Sequence, residues 1–372
     1  MKVRMMGAMA ALTVAIPLGD ASGQAMPKRA GANVSHAAVH RTIARWANRP
    51  RLGAVEMMAK YGEPQEATSD MLIWHNQGPF KRITVFNLET PHDFPMPHVD
   101  FLEHTITYNV PQDKVGPLIE FDASSTINRT IGELSARCDL EGHNILTLNL
   151  DHDIVMGKKS VQQARESFGE NVKQDVLGQH PAYVEALQFQ PHSMAAAMFP
   201  DKPVVPGSPM RAAVAGAMAP TGAMMRDAEI LASVIAIDLN EVLAAAEAGK
   251  KRMSAPALAY AKMLHEAHGM DMVATMKLGQ DIGITPIITA GVDAMQKKGA
   301  GGLAMLVPLD GKPFERGYLA AMVKAHTEVL AMIDQQLLRN VSNDALRNHV
   351  TTMRGRVAEH REKARALRGT GK

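Results

Sequence analysis

The sequence predicts an α+β domain built on an antiparallel sheet, followed by an all-α bundle of four helices. Three observations carry that reading. Between His40 and about Phe189, short alternating stretches such as Met71–Trp74, Phe80–Leu88 and Thr105–Val110 are punctuated by Gly and Pro, the pattern of half-buried antiparallel strands. Residues 190–224 then break the composition, with Pro191, Pro200, Pro203, Pro206, Pro209 and Pro220 set among Ala, Gly and Met. Repeated prolines cannot continue a helix and favour extended backbone, so this stretch reads as a linker. From Met225 to Leu367, apolar residues recur at spacings of 3 and 4 in four successive segments, which is what helices need to bury one face in a bundle. The expected divisions are a signal peptide at 1–25, a mobile N-terminus at 26–39, the α+β domain at 40–189, the linker at 190–224 and the bundle at 225–370.

Lys2 and Arg4 precede an apolar segment from Met5 to Leu18, and Gly23-Gln24-Ala25 offers small residues where a signal peptidase reads. About 14 apolar residues are too few to span a bilayer, so the segment reads as a cleaved secretory signal rather than an anchor. No later stretch is long and apolar enough to cross a membrane. The expected location is the periplasm or the exterior, and an envelope protein is the partner class that location allows. A formal net charge of +2, from 40 Lys+Arg against 38 Asp+Glu, gives no case for nucleic acid. Cys138 is the only cysteine, so the chain cannot hold an internal disulfide, and the thiol is expected as a small buried apolar group.

Within the α+β domain, Leu52–Tyr61 reads as a helix stopped by Gly62 and Pro64. Asn76-Gln77-Gly78-Pro79 makes a turn between two strands. Leu118–Phe121 reads as a further strand and Leu134–Val155 as a helix, with His143, His152 and Asp153 on it. Ser160-Val-Gln-Gln163 has the form of a capping box opening a helix to about Val176. In the bundle, Ser254 is an N-cap followed by Pro256 in the first turn. The second helix is expected to stop near Gly283. A connection of about 28 residues leads to a third helix at Phe314, longer than most bundle connections, with Ile287–Lys298 as a short extra helix. Ser342-Asn343-Asp344 makes the last turn, and the final helix carries Arg361, Lys363, Arg365 and Arg368 where the helix dipole favours cations.

The four seams hold the candidate site. The first runs Ile230, Val234, Ile237, Ala244 and Ala248 with Glu241 in register. The second runs Leu258, Ala261, Met272, Thr275 and Gly279 with His265 and His268 inside it. The third runs Leu319, Met322, Val329 and Ile333 around His326, and the fourth Leu346, Val350, Met353, Val357, Ala364 and Leu367 around His360. With turns near Arg252 and Ser342, helical rise puts His268 and His326 each about 24 Å from the common end of an up-down-up-down bundle, and His360 about 27 Å. His265 falls at about 20 Å and Glu241 at about 17 Å. Imidazoles converging from facing helices, with a carboxylate filling or orienting the shell, can bind a transition metal. The alternative is half-buried seam histidines hydrogen-bonded to Glu241 or to water. A carboxylate-bridged di-iron centre needs Glu-x-x-His on two helices, and neither Glu266 before His268 nor Glu359 before His360 has that spacing. The identity of the metal stays open.

The segment from Asp227 to Leu367 resembles the exported family labelled "predicted outer membrane protein", a domain of unknown function with a ferritin-like bundle. The resemblance rests on Asn240-Glu241, on Ala267-His268 where the family usually has Asp-His, on Gly311–Phe314 with Tyr318, on His326 and on Glu359-His360. Glu315 stands where the family usually has Asp. The resemblance implies a ferritin-like four-helix bundle and export, and no activity.

A second group of ligand-type residues, His92, His98, Asp100, Glu103 and His104, lies in a stretch that Pro91, Pro95 and Pro97 would hold extended. It reads first as a rigid hydrogen-bonded loop and second as a metal site. The 26 Met and 15 His of the chain also admit copper handling, since thioethers and imidazoles suit its two oxidation states. Met equally fills helix seams. No phosphate-binding glycine loop, nucleophile elbow or His-Glu-x-x-His is present; His265-Glu266-Ala267-His268 is one residue short. The favoured reading is an exported protein of unknown activity whose bundle binds a metal or small ligand. A metal-dependent enzyme with its site in the bundle, and an envelope interaction module with a purely structural bundle, are the alternatives.

Overall fold

The computed structural model of the protein describes residues 34–212 and 221–370. The signal segment read at 1–25, and the N-terminal stretch as far as residue 33, lie outside them. The chain divides between Asp201 and Lys202 into two compact units.

In the first unit, His36–Ile43 (α1) buries Val39 and Ile43, so the end of the stretch expected to be mobile is a packed helix. Asn48–Tyr61 (α2) follows and stops at Gly62, whose φ of +75° suits a residue without a Cβ. Glu66–Ala67 (β1), Met71–Gln77 (β2), Phe80–His92 (β3), His98–Thr107 (β4), Thr126–Asn128 (β5) and Glu133–Cys138 (β6) form one antiparallel sheet in the order β1-β2-β3-β4-β6-β5. Directly paired residues share a face, so Leu72, Trp74, Ile83, Val85, Leu102, Ile106, Leu134 and Ala136 form one apolar layer. Trp74 is fully buried there, and its indole N–H donates to the Gly62 carbonyl at 2.8 Å.

Two elements change type relative to the sequence reading, and the strand expected at Thr105–Val110 instead runs His98–Thr107. Leu118–Phe121 belongs to a helix, Val115–Phe121 (α3), and Leu134–Cys138 is strand β6 rather than the start of a helix. β6 pairs with β4 and is buried on nearly every residue, which removes the polar alternation that marks a half-exposed strand. The helix begins after it, at Glu141–Val155 (α4). From Asn144 to Asp151 every residue of α4 is buried, so its polar side chains need partners inside the unit. Asn144 donates to the Leu102 carbonyl, and Asn149 to the carbonyls of Tyr183 and Ala186. Val161–Val176 (α5) opens on the capping box at Ser160 and Gln163, followed by the short helices Ala182–Glu185 (α6) and Met194–Ala197 (α7).

The proline-rich stretch carries regular structure. Besides α7, Met210–Arg211 (β7) pairs in parallel with Ile287–Ile288 (β8). The second unit is otherwise helical: Gly222–Ala248 (α8), Ala255–Asp281 (α9), Ala290–Leu306 (α10), Gly311–Met332 (α11) and Asp344–Thr370 (α12). A π-helical turn at Ile333–Leu337 extends α11. α8 packs on α9, α11 on α12, and α9 on α12. The long connection is filled by β8 and by α10, which starts later and runs further than the expected Ile287–Lys298 helix and packs on α8. Gly299 makes that approach possible, since a Cβ there would lie 2.3 Å from Cγ of Asn240. Asn240 in turn donates to the Met295 carbonyl. Ser254 caps α9, and Glu315 accepts from its N–H and hydroxyl, joining the starts of α9 and α11. Among the described residues, no helix is long and apolar enough to cross a membrane.

Asp227 fastens the start of α8 to the last turn. It is buried and accepts from the Ser342 N–H and hydroxyl and from the Asn343 N–H. Asp227→Ala strands those donors and is expected to lower unfolding stability by about 2–3 kcal/mol, read as a shift of the urea midpoint at constant slope. A midpoint within error of the unsubstituted protein would show that water replaces the carboxylate.

Candidate metal centre

Three imidazoles from three helices meet inside the second unit. His268 on α9, His326 on α11 and His360 on α12 are 2%, 1% and 5% exposed, and their ring centroids lie 5.1–5.9 Å apart. One nitrogen of each lies within 4.8 Å of the others. Each occupies a seam position of its helix, so the apolar periodicity that buries the seam also brings the rings to one level.

Hydrogen bonding fixes which nitrogens face inward. His326 Nδ1 lies 2.7 Å from the Met322 carbonyl. A carbonyl only accepts, so the proton is on Nδ1, and Nε2 is left buried without a partner. His268 Nδ1 lies 2.8 Å from Asp238 Oδ1, and its Nε2 is 3.3 Å from His360 Nδ1. Two ligands about 2.0–2.1 Å from a tetrahedral zinc ion stand about 3.3 Å apart. A carboxylate or carbonyl holding the outer nitrogen is the usual support of a metal-bound histidine, and His268 and His326 both have one.

Carboxylates of α8 stand beside the rings. Glu241 Oε1 is 4.0 Å from His326 Nδ1, while Glu241 Oε2 and Asp238 Oδ2 are buried without hydrogen-bond partners. Burial pushes the Asp238 carboxyl up to about 6, against the pull of His268. For His268, burial disfavours the imidazolium, but the Asp238 hydrogen bond and the Glu241 and Asp271 carboxylates outweigh it and hold the ring above its ordinary value. Burial, then the neighbouring His268 and His326, push His360 down to about 3. The Tyr318 hydroxyl is also buried without a partner, and Tyr260 donates to the His360 carbonyl at 3.1 Å. One turn along, Arg356 meets Asp271 at 2.7 Å.

Residues 212–367 match the profile of a domain of unknown function (DUF4142). No curated protein and no solved structure matches the chain. The imidazole centre and its carboxylates all lie inside the DUF4142 segment.

His265 does not join them. It is exposed, because the buried line of α9 runs through Ala261, Leu264, His268, Asp271 and Thr275, one step away from the expected seam. Leu258, also read into that seam, is 40% exposed. Asp238 and Asp271 were missed. Both are three residues from a seam residue already singled out, Glu241 and His268, and that spacing puts them on the same helix face.

The second group, outside the DUF4142 segment, separates. His92 ends β3 opposite His98, which begins β4, and the hairpin brings both to Asp100. Pro95 and Pro97 therefore sit in the turn, Pro91 lies within β3 opposite Val99, and none of them keeps the side chains apart. Glu103 points to the other face of β4 and pairs with Arg137 at 2.8 Å. His104 is fully buried against Asn144 and Glu141, and burial holds it below its ordinary value. Cys138 is buried as expected, but among polar groups: His98 Nε2 at 3.3 Å, Asp139 Oδ1 at 3.4 Å and His143 Nδ1 at 3.8 Å.

Asp151, on α4, is fully buried, and neither carboxylate oxygen has a hydrogen-bond partner. Burial, then Asp122, push its carboxyl well above the usual range; Ser125 offsets this only in part. A value raised by folding stabilises the fold below the ordinary value of 3.8 and loses that contribution as pH rises towards the folded value. Asp151→Asn is therefore expected to be more stable than the unsubstituted chain in urea at pH 7, with the gain vanishing near pH 4. Equal stability at pH 7 would mean that the ionised carboxylate is compensated.

Proposed function

We propose that this chain is an exported metal-binding protein whose second unit is a ferritin-like four-helix bundle of α8, α9, α11 and α12. His268, His326 and His360 hold one divalent transition ion, with Glu241 beside them and Asp238 orienting His268. The observation that carries the proposal is a set of buried atoms without partners at the converging rings and at the carboxylates beside them: His326 Nε2, Glu241 Oε2 and Asp238 Oδ2. Buried polar atoms are nearly always hydrogen-bonded, and an ion among the three rings would satisfy the first directly. Imidazole donors suit zinc and copper better than magnesium or calcium, which take oxygen shells. Rings buried this deeply suit holding an ion more than admitting a substrate, so binding rather than turnover is the activity proposed.

The test is elemental analysis and Zn2+ titration of the purified chain. His326→Ala is expected to lower bound zinc by one equivalent and to remove the corresponding rise in thermal midpoint, since an ion that binds only the folded state stabilises it by mass action. Unchanged stoichiometry in His326→Ala, or no shift in midpoint with Zn2+, Cu2+, Fe2+ or Mn2+, would overturn the assignment. Export rests on Lys2, Arg4, Met5–Leu18 and Gly23-Gln24-Ala25. Expressed at full length in a Gram-negative host, the mature protein is expected to begin at Met26 in the periplasmic fraction; retention of Met1 in the cytoplasm would rule export out.

A further inference from the structure

The first unit holds a second constellation with the marks of an ion site. Asp100 is 4% exposed and stands between two imidazoles: His98 Nε2 is 3.1 Å from its Oδ1, and His92 Nδ1 is 3.3 Å from its Oδ2. Both contacts are within ion-pair range, yet His92 Nδ1 and Asp100 Oδ1 are buried without a well-aligned hydrogen bond. A simple imidazolium–carboxylate pair would align a donor on an acceptor. These atoms instead face one another at about the 3.3 Å that separates two ligands of a tetrahedral zinc ion.

The outer nitrogen of His98 is held as it is in metal sites. His98 Nδ1 donates to the Met96 carbonyl at 2.9 Å, which leaves its Nε2 turned towards Asp100 and Cys138. His92 Nε2 faces Asp122 Oδ1 at 3.8 Å. Asp122 is fixed in turn by the Ser124 N–H and hydroxyl and by the Thr147 hydroxyl. The Cys138 sulfur lies 3.3 Å from His98 Nε2, close to the roughly 3.5 Å expected between sulfur and nitrogen on one zinc ion. It groups with His98 and Asp139 rather than with His92 and Asp100, so joining the same ion takes a side-chain rotation.

We propose that the first unit binds a divalent transition ion of the zinc class through His92, His98 and Asp100, with the Cys138 thiolate as fourth ligand. Binding releases the thiol proton to solvent and forms the metal–sulfur bond. A mixed nitrogen, oxygen and sulfur shell excludes calcium and magnesium as the natural occupants. The site shares no residue with the helical centre and stands whether or not that centre binds metal.

The full chain carrying His326→Ala, which removes the helical centre, is expected to bind one equivalent of Zn2+. Adding His98→Ala, or the isosteric Asp100→Asn where the alanine variant fails to fold by circular dichroism, is expected to abolish it. Because Cys138 is the only cysteine in the chain, thiolate-to-cobalt absorption in the Co2+-loaded protein reports on this site alone. That band is expected in His326→Ala and lost in Cys138→Ser. No zinc bound by His326→Ala, an equivalent that persists in both ligand variants, or cobalt-loaded protein without the band each overturns the proposal.

Discussion

Burying an imidazole is tolerable only when both ring nitrogens find partners, and the second unit buries three at one level. Its core has to satisfy six ring nitrogens there while packing the seams on either side. The molecule meets part of that demand from within. Met322 supplies its carbonyl to His326, Asp238 its carboxylate to His268, and His268 and His360 face each other. The provision stops short, because His326 Nε2 and one oxygen each of Glu241 and Asp238 are left over. Replacing this layer with apolar residues would remove the desolvation cost. Stability alone therefore does not account for its presence in an otherwise apolar seam.

The polar layer also separates the apolar packing. Ile230, Val234 and Ile237 pack with Leu330, Ile333, Val350, Met353 and Val357 on one side. Ala244, Ala248, Tyr260, Leu264, Tyr318, Met322 and Ala364 pack on the other. Glu241 falls between Ile237 and Ala244, His268 beyond Leu264, and His360 between Val357 and Ala364, so the break lies at the same level in three helices. Two well-packed clusters grip the layer from both ends and hold the rings in place without a short loop at the site. Asp227 and Glu315, which tie helix starts to neighbouring turns, act at the ends of the same helices.

How far this could be read in the sequence depended on the element carrying each residue. The helical centre was legible because seam periodicity and a rise of about 1.5 Å per residue suffice to compare levels on facing helices. That arithmetic placed His268, His326 and His360 together. It misplaced His265, because a seam of 3 and 4 spacings has two phases in a helix as apolar as α9, and Leu264 rather than His265 takes the buried one. Asp238 and Asp271 fall outside the seams because a seam counts about one residue per turn, whereas a buried stripe is wider. In the first unit, β6 was read as helix because both its faces are covered, which erases the alternation that identifies a strand. α3 was too short for periodicity to decide.

The second cluster shows the complementary limit. His92, His98 and Asp100 are close in sequence, and the prolines between them suggested an extended run in which neighbouring side chains diverge. Pairing reverses that expectation. A hairpin sets His92 directly across from His98, and the strand alternation that puts Asp100 two residues on keeps it on the same face as His98. Glu103 is excluded by the same alternation, since it falls on the opposite face. His104 keeps the phase but lies two strand steps further along, against Glu141. Cys138 enters from β6, which pairs with β4 at Leu102 and so brings the thiol beside His98 across the sheet. Strand register thus converts a loose run of ligand-type residues into a defined set, accepting three and rejecting two on geometry alone.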